Sequence, residues 1–502
     1  MDRTEEDQET GYPFQSETLI NKYGREKMKK SAFLFLILAA AVILPGCGGN
    51  RLTYYDSLNT LVSQKQFDAA EKMVEDNAGK FYGDKDLLLY YLDHGYIEHL
   101  GAQYQKSNKM LAEANRLAKD YFTKSITTEA STFLVSDNMR PYYGEDFEQA
   151  LTHVFAAMNY VALNQWEDAL VEARAVDQYL TVLQTNYGYK NTYKEDAFVR
   201  YLMGMIYENG GEDNDAFIEY RKALYTYRDQ HKQFGVEIPQ DLFNSALTVG
   251  TRLQFNSEMD ELKKDFPALA AAADQDGRAK NTGEIVVIHY IGLVPHKIDN
   301  ILEFAFGKAW VYVNMVKTEG EAAESVNTAA TAIRAIASDE QVIVAFPKYV
   351  PTSYNITSSI VTIGEKSVPT TVVEDVGRIA VKSLDDRLGR IYAKAIARAA
   401  IKFAVTRAAQ EKISKKADNA VGAFLLSSTV KLATSLTEKA DKRCWQVLPD
   451  QIRMARLRLP AGTYDLKCDY YDRSGNRTST EEKTGIQVKS GQKTFVLVQS
   501  IN

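Results

Sequence analysis

From Leu52 to Phe266, apolar residues recur at three- and four-residue intervals, the period of helices with one buried face. Short polar turns, including Asn164-Gln165-Trp166-Glu167-Asp168 and Asn209-Gly210-Gly211, divide this stretch into helical pairs. The pattern then changes. Residues 284–291, built on the apolar run Ile285-Val286-Val287-Ile288, and residues 341–346, built on Val342-Ile343-Val344-Ala345-Phe346, are of strand length and predict buried strands. Residues 358–363 and 367–373 flank Gly364-Glu365-Lys366 and predict a hairpin, and two Ala-rich helices are expected at about 375–412 and 420–439. Towards the end, residues 453–459 and 463–468 alternate with period two about the turn Pro460-Ala461-Gly462. Another turn is expected at 472–476, and residues 494–499 close the sheet.

Within the helical half the spacing of small and aromatic residues fits tetratricopeptide-like units, which repeat every ~34 residues and place small side chains where two helices meet. Gly204, Tyr207, Ala216, Tyr220 and Ala223 give the clearest match. Ala157, Tyr160, Ala169 and Ala173 give a second, and Gly95, Ser107, Leu111 and Ala114 a weaker third. Phe67-Asp68-Ala69-Ala70 suggests a degenerate unit at the front. The closing proline of such a unit is missing, since Arg228 stands at its position. Residues 274–283 are polar and free of core-forming side chains, so they read as a linker. The fold class expected is multidomain α+β: an N-terminal α-solenoid at 47–273, a mixed α/β domain with long Ala-rich helices at 284–440, and a small β-sandwich at 441–502.

Ahead of the helices, Lys29 and Lys30 precede an apolar stretch from Ala32 to Leu44, too short to span a bilayer comfortably, that ends in Leu44-Pro45-Gly46-Cys47. This reads as a lipoprotein signal at 28–46, with Cys47 as the acylated first mature residue; Pro45 is an unusual occupant. The alternatives are an uncleaved anchor or a core helix ending at a chance cysteine. Residues 1–27 are acidic, through Asp2, Glu5, Glu6, Asp7, Glu9, Glu17 and Glu26, which is the wrong charge ahead of an export signal. Met28 is therefore the expected start, with 1–27 an upstream extension; the alternative is a genuine cytoplasmic extension. Several acyl chains on Cys47 would hold the protein to a membrane durably. With Gly48 rather than Asp after Cys47, the resemblance to a bacterial lipoprotein signal implies the outer membrane, facing the periplasm.

Composition changes little. The 502 residues are 45% hydrophobic and 25% charged, ordinary for a folded protein, and a net charge of −6 gives no bulk attraction to nucleic acid. Cys444 and Cys468 remain once Cys47 is acylated. They read either as a disulfide, worth roughly 3 kcal/mol, or as two buried thiols.

Residues 288–297, Phe346-Pro347-Lys348-Tyr349, Ala397-Arg398-Ala399-Ala400-Ile401-Lys402, Arg443-Cys444-Trp445 with Leu448-Pro449, and Leu459-Pro460-Ala461-Gly462 resemble the landmarks of a family of bacterial tetratricopeptide-repeat lipoproteins. Its members are often encoded beside lipoproteins that activate penicillin-binding proteins. The resemblance covers most of the mature chain and implies an envelope role, with no reaction to carry over.

Motifs for chemistry are scarce. His94, His99, His153, His231, His289 and His296 form no zincin-type spacing, and no nucleophile elbow, phosphate loop or dinucleotide fingerprint occurs. No metal, cofactor or catalytic residue is expected. Arg387, Arg390, Lys394, Arg398 and Lys402 fall on one helical stripe. It reads as a solvated face or as a docking strip for anionic lipid, wall polymer or an acidic partner. The function expected is a protein-binding adaptor in envelope or peptidoglycan assembly that grips a protein or peptide on the concave face of its repeats. One alternative is an envelope enzyme with a site around His289, His296 and Lys297. Another is a component of an export or surface-assembly apparatus.

Overall fold

The computed structural model describes residues 51–128, 137–187, 193, 195–273, 281–305, 341–414 and 439–501. Cys47 with its apolar run, residues 274–280 and residues 420–438 of the second expected Ala-rich helix lie outside them. The chain is α+β. In order, the first half forms α1 (Arg51–Ser63), α2 (Phe67–Asp76), α3 (Leu87–Leu100), α4 (Tyr104–Thr128), α5 (Asp146–Ala162), α6 (Trp166–Tyr187), α7 (Ala197–Asn209), α8 (Asp213–Phe234), α9 (Gln240–Leu253), α10 (Asn256–Asp265) and α11 (Pro267–Ala271).

The turns between paired helices are built alike. Lys65, Ala102, Asn164, Gly211 and Gln254 each take a left-handed backbone, with φ of 56°, 59°, 58°, 81° and 58°. In each turn the next residue donates its N–H to the carbonyl five positions back: Gln66 to Leu61, Gln103 to Glu98, Gln165 to Tyr160, Glu212 to Tyr207 and Phe255 to Gly250, at 2.8–2.9 Å. This pattern satisfies carbonyls that a helix end leaves unpaired. Small residues sit where paired helices meet. A Cβ on Gly204 would lie 2.6 Å from the Tyr220 ring, and one on Gly95 would lie 2.8 Å from Leu111. Ala157, Ala169, Ala173, Ala216 and Ala223 are wholly or almost wholly buried.

The second half forms β1 (Thr282–Ile291), β2 (His296–Ala305), β3 (Gln341–Val350), β4 (Ile356–Ile363), β5 (Lys366–Pro369), β6 (Thr371–Asp375), α12 (Val376–Ser414), β7 (Gln451–Pro460), β8 (Gly462–Asp472), β9 (Arg477–Val488) and β10 (Lys493–Ser500). One four-stranded sheet has the order β10-β1-β7-β6 and another the order β5-β4-β8-β9, while β2 and β3 pair separately. β1 runs parallel to β10 and antiparallel to β7. Ile285, Val287, Leu457, Leu459 and Val498 of the first sheet share a core with Val361, Ile363, Leu466, Cys468 and Tyr470 of the second.

This pairing overturns the boundary expected between 440 and 441. β1 and β6 belong to the first expected domain, yet they bond to β7 and β10 of the other. The expected hairpin also divides. β5 pairs with β4, but after Pro369 and Thr370 the chain passes to the other sheet, where β6 pairs with β7. Proline has no N–H to continue a ladder, so the change of sheet falls there.

The helices cover the first sheet's other face, which leaves β1 buried on both sides and explains its continuous apolar run. The Tyr290 ring lies 5.8 Å from His99 and 5.9 Å from Phe155, and Phe155 in turn lies 5.8 Å from Trp445. Arg456 of β7 donates to Glu284, to the Tyr201 hydroxyl at 2.6 Å and to Ser245 Oγ at 2.9 Å. Lys493 of β10 pairs with Glu208 at 2.6 Å. A guanidinium with buried partners in both layers ties them together. Tyr55–Asn502 accordingly forms one compact unit, which overturns the expectation of independent domains joined by a linker at 274–283. Asn281 already bonds to Ala461, and Thr282 and Gly283 are already strand.

Candidate functional site

An open groove of about 520 Å³ runs along α8, lined by its residues Phe217, Ile218, Arg221, Lys222, Tyr225 and Thr226 together with Glu195, Phe255 and Glu258. Helical spacing puts these α8 residues on adjoining faces, with Ala216, Tyr220, Ala223 and Leu224 buried beneath. Ile218 is 40% exposed at the surface. Tyr225 is held in place. Its hydroxyl donates to Asp265 at 2.7 Å, its ring lies 5.4 Å from Phe266, and the Arg228 guanidinium lies 4.7 Å from its centroid. Charge surrounds this apolar strip, since Lys222 reaches Asp177 at 3.0 Å and Glu219 at 2.9 Å. Apolar and aromatic anchors flanked by fixed charges of both signs can take an extended peptide or a helix face.

The residues expected at the other sites are placed differently. Arg387 pairs with Glu145 and also donates to the Ser383 carbonyl at 3.0 Å, and buried Arg398 pairs with Asp137 at 3.2 Å. The stripe expected to face solvent or an anionic surface therefore spends at least two of its cations on carboxylates of the helical half. The expectation failed because helical periodicity shows which residues share a face, not what covers it. Arg390 and Lys394 lie partly buried on the same helix, and the Lys402 side chain lies outside the described residues. Cys444 and Cys468 are both buried and both free, so the candidate disulfide is not formed. Cys468 sits in the core between the sheets, and burial pushes each thiol up to about 12.

His289, His296 and Lys297 do not converge. The His289 ring is held between Ser359 Oγ at 2.8 Å and Ser500 Oγ at 2.7 Å, and burial lowers it to about 3. His296 reaches Thr352 at 3.5 Å. Lys297 is buried, donating to Glu145 at 2.7 Å and to the Arg443 carbonyl at 3.1 Å. Burial would raise Glu145, but Arg387 and Lys297 outweigh it and hold the carboxyl down at about 2. Neighbouring Glu148 goes the other way. Burial and the charge on Glu145 push it up to about 7.

One cluster escaped the sequence reading. Glu71 and Glu75 lie four apart on α2, and His94 and Glu98 four apart on α3. The His94 Nε2 faces Glu98 at 3.6 Å, Glu71 at 3.8 Å and Glu75 at 3.9 Å. The signal was present as two four-residue spacings on consecutive helices, but a search confined to two histidines around a glutamate passes over it.

Among the described residues, no helix is long and apolar enough to cross a membrane. No protein-family profile matches the chain, and no curated protein matches it. Among solved structures, the chain is similar to BtubC (BKLC) from P. vanneervenii, with 17% identity over 46% of this chain and 89% of that one, at a TM-score of 0.29.

Proposed function

We propose that the protein is a lipid-anchored adaptor of the bacterial envelope that grips a protein or peptide along its helical half. In this reading Cys47 carries the anchor, the helical pairs form a tetratricopeptide-like solenoid, the two sheets form a β-sandwich-like base, and the anchored protein faces the periplasm from the outer membrane. It works near peptidoglycan assembly in this reading, which rests on the resemblance of the sequence to tetratricopeptide-repeat lipoproteins. The repeated left-handed turns and the glycines at helix contacts support the solenoid. Turn residues here recur at intervals longer than ~34 residues, because helices such as α4, with 25 residues, and α6 and α8, with 22 each, exceed the usual unit.

The observation that carries the reading is the α8 groove, an apolar strip around exposed Ile218 with Tyr225 fixed beside it. Its test uses the full chain in intact cells. A photocrosslinking residue at Ile218 should capture an envelope protein, and Ile218→Asp should reduce recovery of that protein at least tenfold while leaving the thermal midpoint unchanged. Ile218 is exposed, so the substitution disturbs no core. Undiminished recovery with Ile218→Asp would overturn the groove as the gripping surface.

A further inference from the structure

We infer that Glu71, His94 and Glu98, with Glu75 at the rim, form a binding site for one divalent first-row transition cation, clamping α2 to α3. Ligand atoms of Glu71, His94 and Glu98 lie within 4.8 Å of one another. His94 is only 2% exposed and Glu98 only 1%, yet neither ring nitrogen of His94 nor Oε2 of Glu98 has a hydrogen-bond partner. Buried polar atoms rarely stay unsatisfied, and an imidazole with both nitrogens unmatched needs an explanation.

The separations supply one for Nε2. At 3.6, 3.8 and 3.9 Å from the carboxylates, Nε2 is too far for a hydrogen bond. Ligand atoms placed ~2.0–2.2 Å from a tetrahedral cation stand ~3.4 Å apart, so the His94–Glu98 and His94–Glu71 separations need only a few tenths of an ångström of closure, and the whole set, now within 4.8 Å, at most about 1.4 Å. Zinc and its neighbours accept a mixed nitrogen and carboxylate shell, whereas calcium and magnesium favour oxygen alone. The imidazole therefore points to a transition cation.

Neighbouring groups orient Glu71 and the His94 ring as outer partners commonly do. Gln103 Nε2 donates to Glu71 Oε2 at 3.0 Å, Lys106 Nζ lies 3.1 Å from Glu71 Oε1, and the Tyr90 ring packs edge-on to His94 at 5.5 Å. Lys106 is largely exposed, so it can swing out as the cation enters. Glu75, half in solvent, stands at the mouth of the site and gives it an entrance. Both helices belong to the first helical pairs, so occupancy would stiffen the front of the helical half.

The test is titration of the metal-stripped full chain with Zn2+ alone, followed by calorimetry and by thermal unfolding. One equivalent should bind and raise the midpoint. His94→Gln should weaken binding at least tenfold and abolish the rise. Should His94→Gln fail to fold, Glu71→Gln, on the other helix and nearer solvent, must give the same loss. Ca2+ at equal concentration should leave the midpoint unchanged. No zinc binding by the native chain, zinc binding undiminished in a folded variant, or an equal rise with Ca2+ would each overturn the site.

Discussion

His289 shows at the scale of one residue how burial converts a titratable group into a pH-dependent element of stability. Its folded pKa is lowered from the ordinary 6.5 to about 3, because the ring is buried between the sheets and faces Arg453. Above 6.5 both folded and unfolded chains hold the ring neutral, and its contribution is complete. Below 6.5 the unfolded chain takes up a proton that the folded chain refuses, so stability falls by about 1.4 kcal/mol per pH unit towards pH 3. Glu148 acts in the opposite sense, gaining stability as pH falls from its raised value of about 7 towards 4.5, so the whole-protein curve mixes the two. The comparison that isolates His289 is denaturant unfolding of the native chain and His289→Gln at several pH values. The native chain's advantage should shrink steadily from pH 7 to pH 4. An advantage independent of pH would contradict the assignment.

At the scale of elements, the repeated turns and helix contacts give opposite expectations for two small changes. Ala102 holds a φ of 59° in an exposed turn, a conformation that disfavours any residue with a Cβ. Ala102→Gly should therefore stabilise by roughly 0.5–1 kcal/mol, after the extra unfolded-state entropy of glycine is subtracted. Gly204→Ala would set a methyl 2.6 Å from the Tyr220 ring and should destabilise by roughly 1–3 kcal/mol. Thermal midpoints of the two variants should move in opposite directions. Small residues at these contacts were legible from their spacing. The strand β9 was not, because its residues are mostly exposed and polar and so show no clear apolar alternation. β2 was missed as well, with Ile301 and Leu302 adjacent and both exposed.

For the whole molecule, the decisive feature is that the helices cover a sheet rather than standing apart from it. Arg456, Lys493, Tyr290 and Trp445 carry contacts between the halves. A protease site placed within residues 274–280 should therefore yield two fragments that stay together in native buffer and separate only in denaturant. Size-exclusion chromatography after cleavage checks this, and a helical fragment eluting alone and folded would refute it. Lys297→Met should lower stability by about 3 kcal/mol, since it strips one of two cations from the buried carboxyl of Glu145.

The sequence by itself determined where helices give way to strands and which residues are small at helix contacts. These are local matters, set by periodicity and by the space a side chain occupies. Only the tertiary structure decided that β1 bonds to β7 and β10 across more than a hundred intervening residues, that Arg387 and Arg398 turn inward to Glu145 and Asp137, that Cys444 and Cys468 stay apart as thiols, and that Glu71 meets His94 and Glu98. A strand's run of apolar residues says that it is covered on both faces but not by what, and a charged stripe says nothing of the carboxylates that come to meet it. Partners distant along the chain are selected by the packing of the whole, and no window of sequence contains both members of the pair.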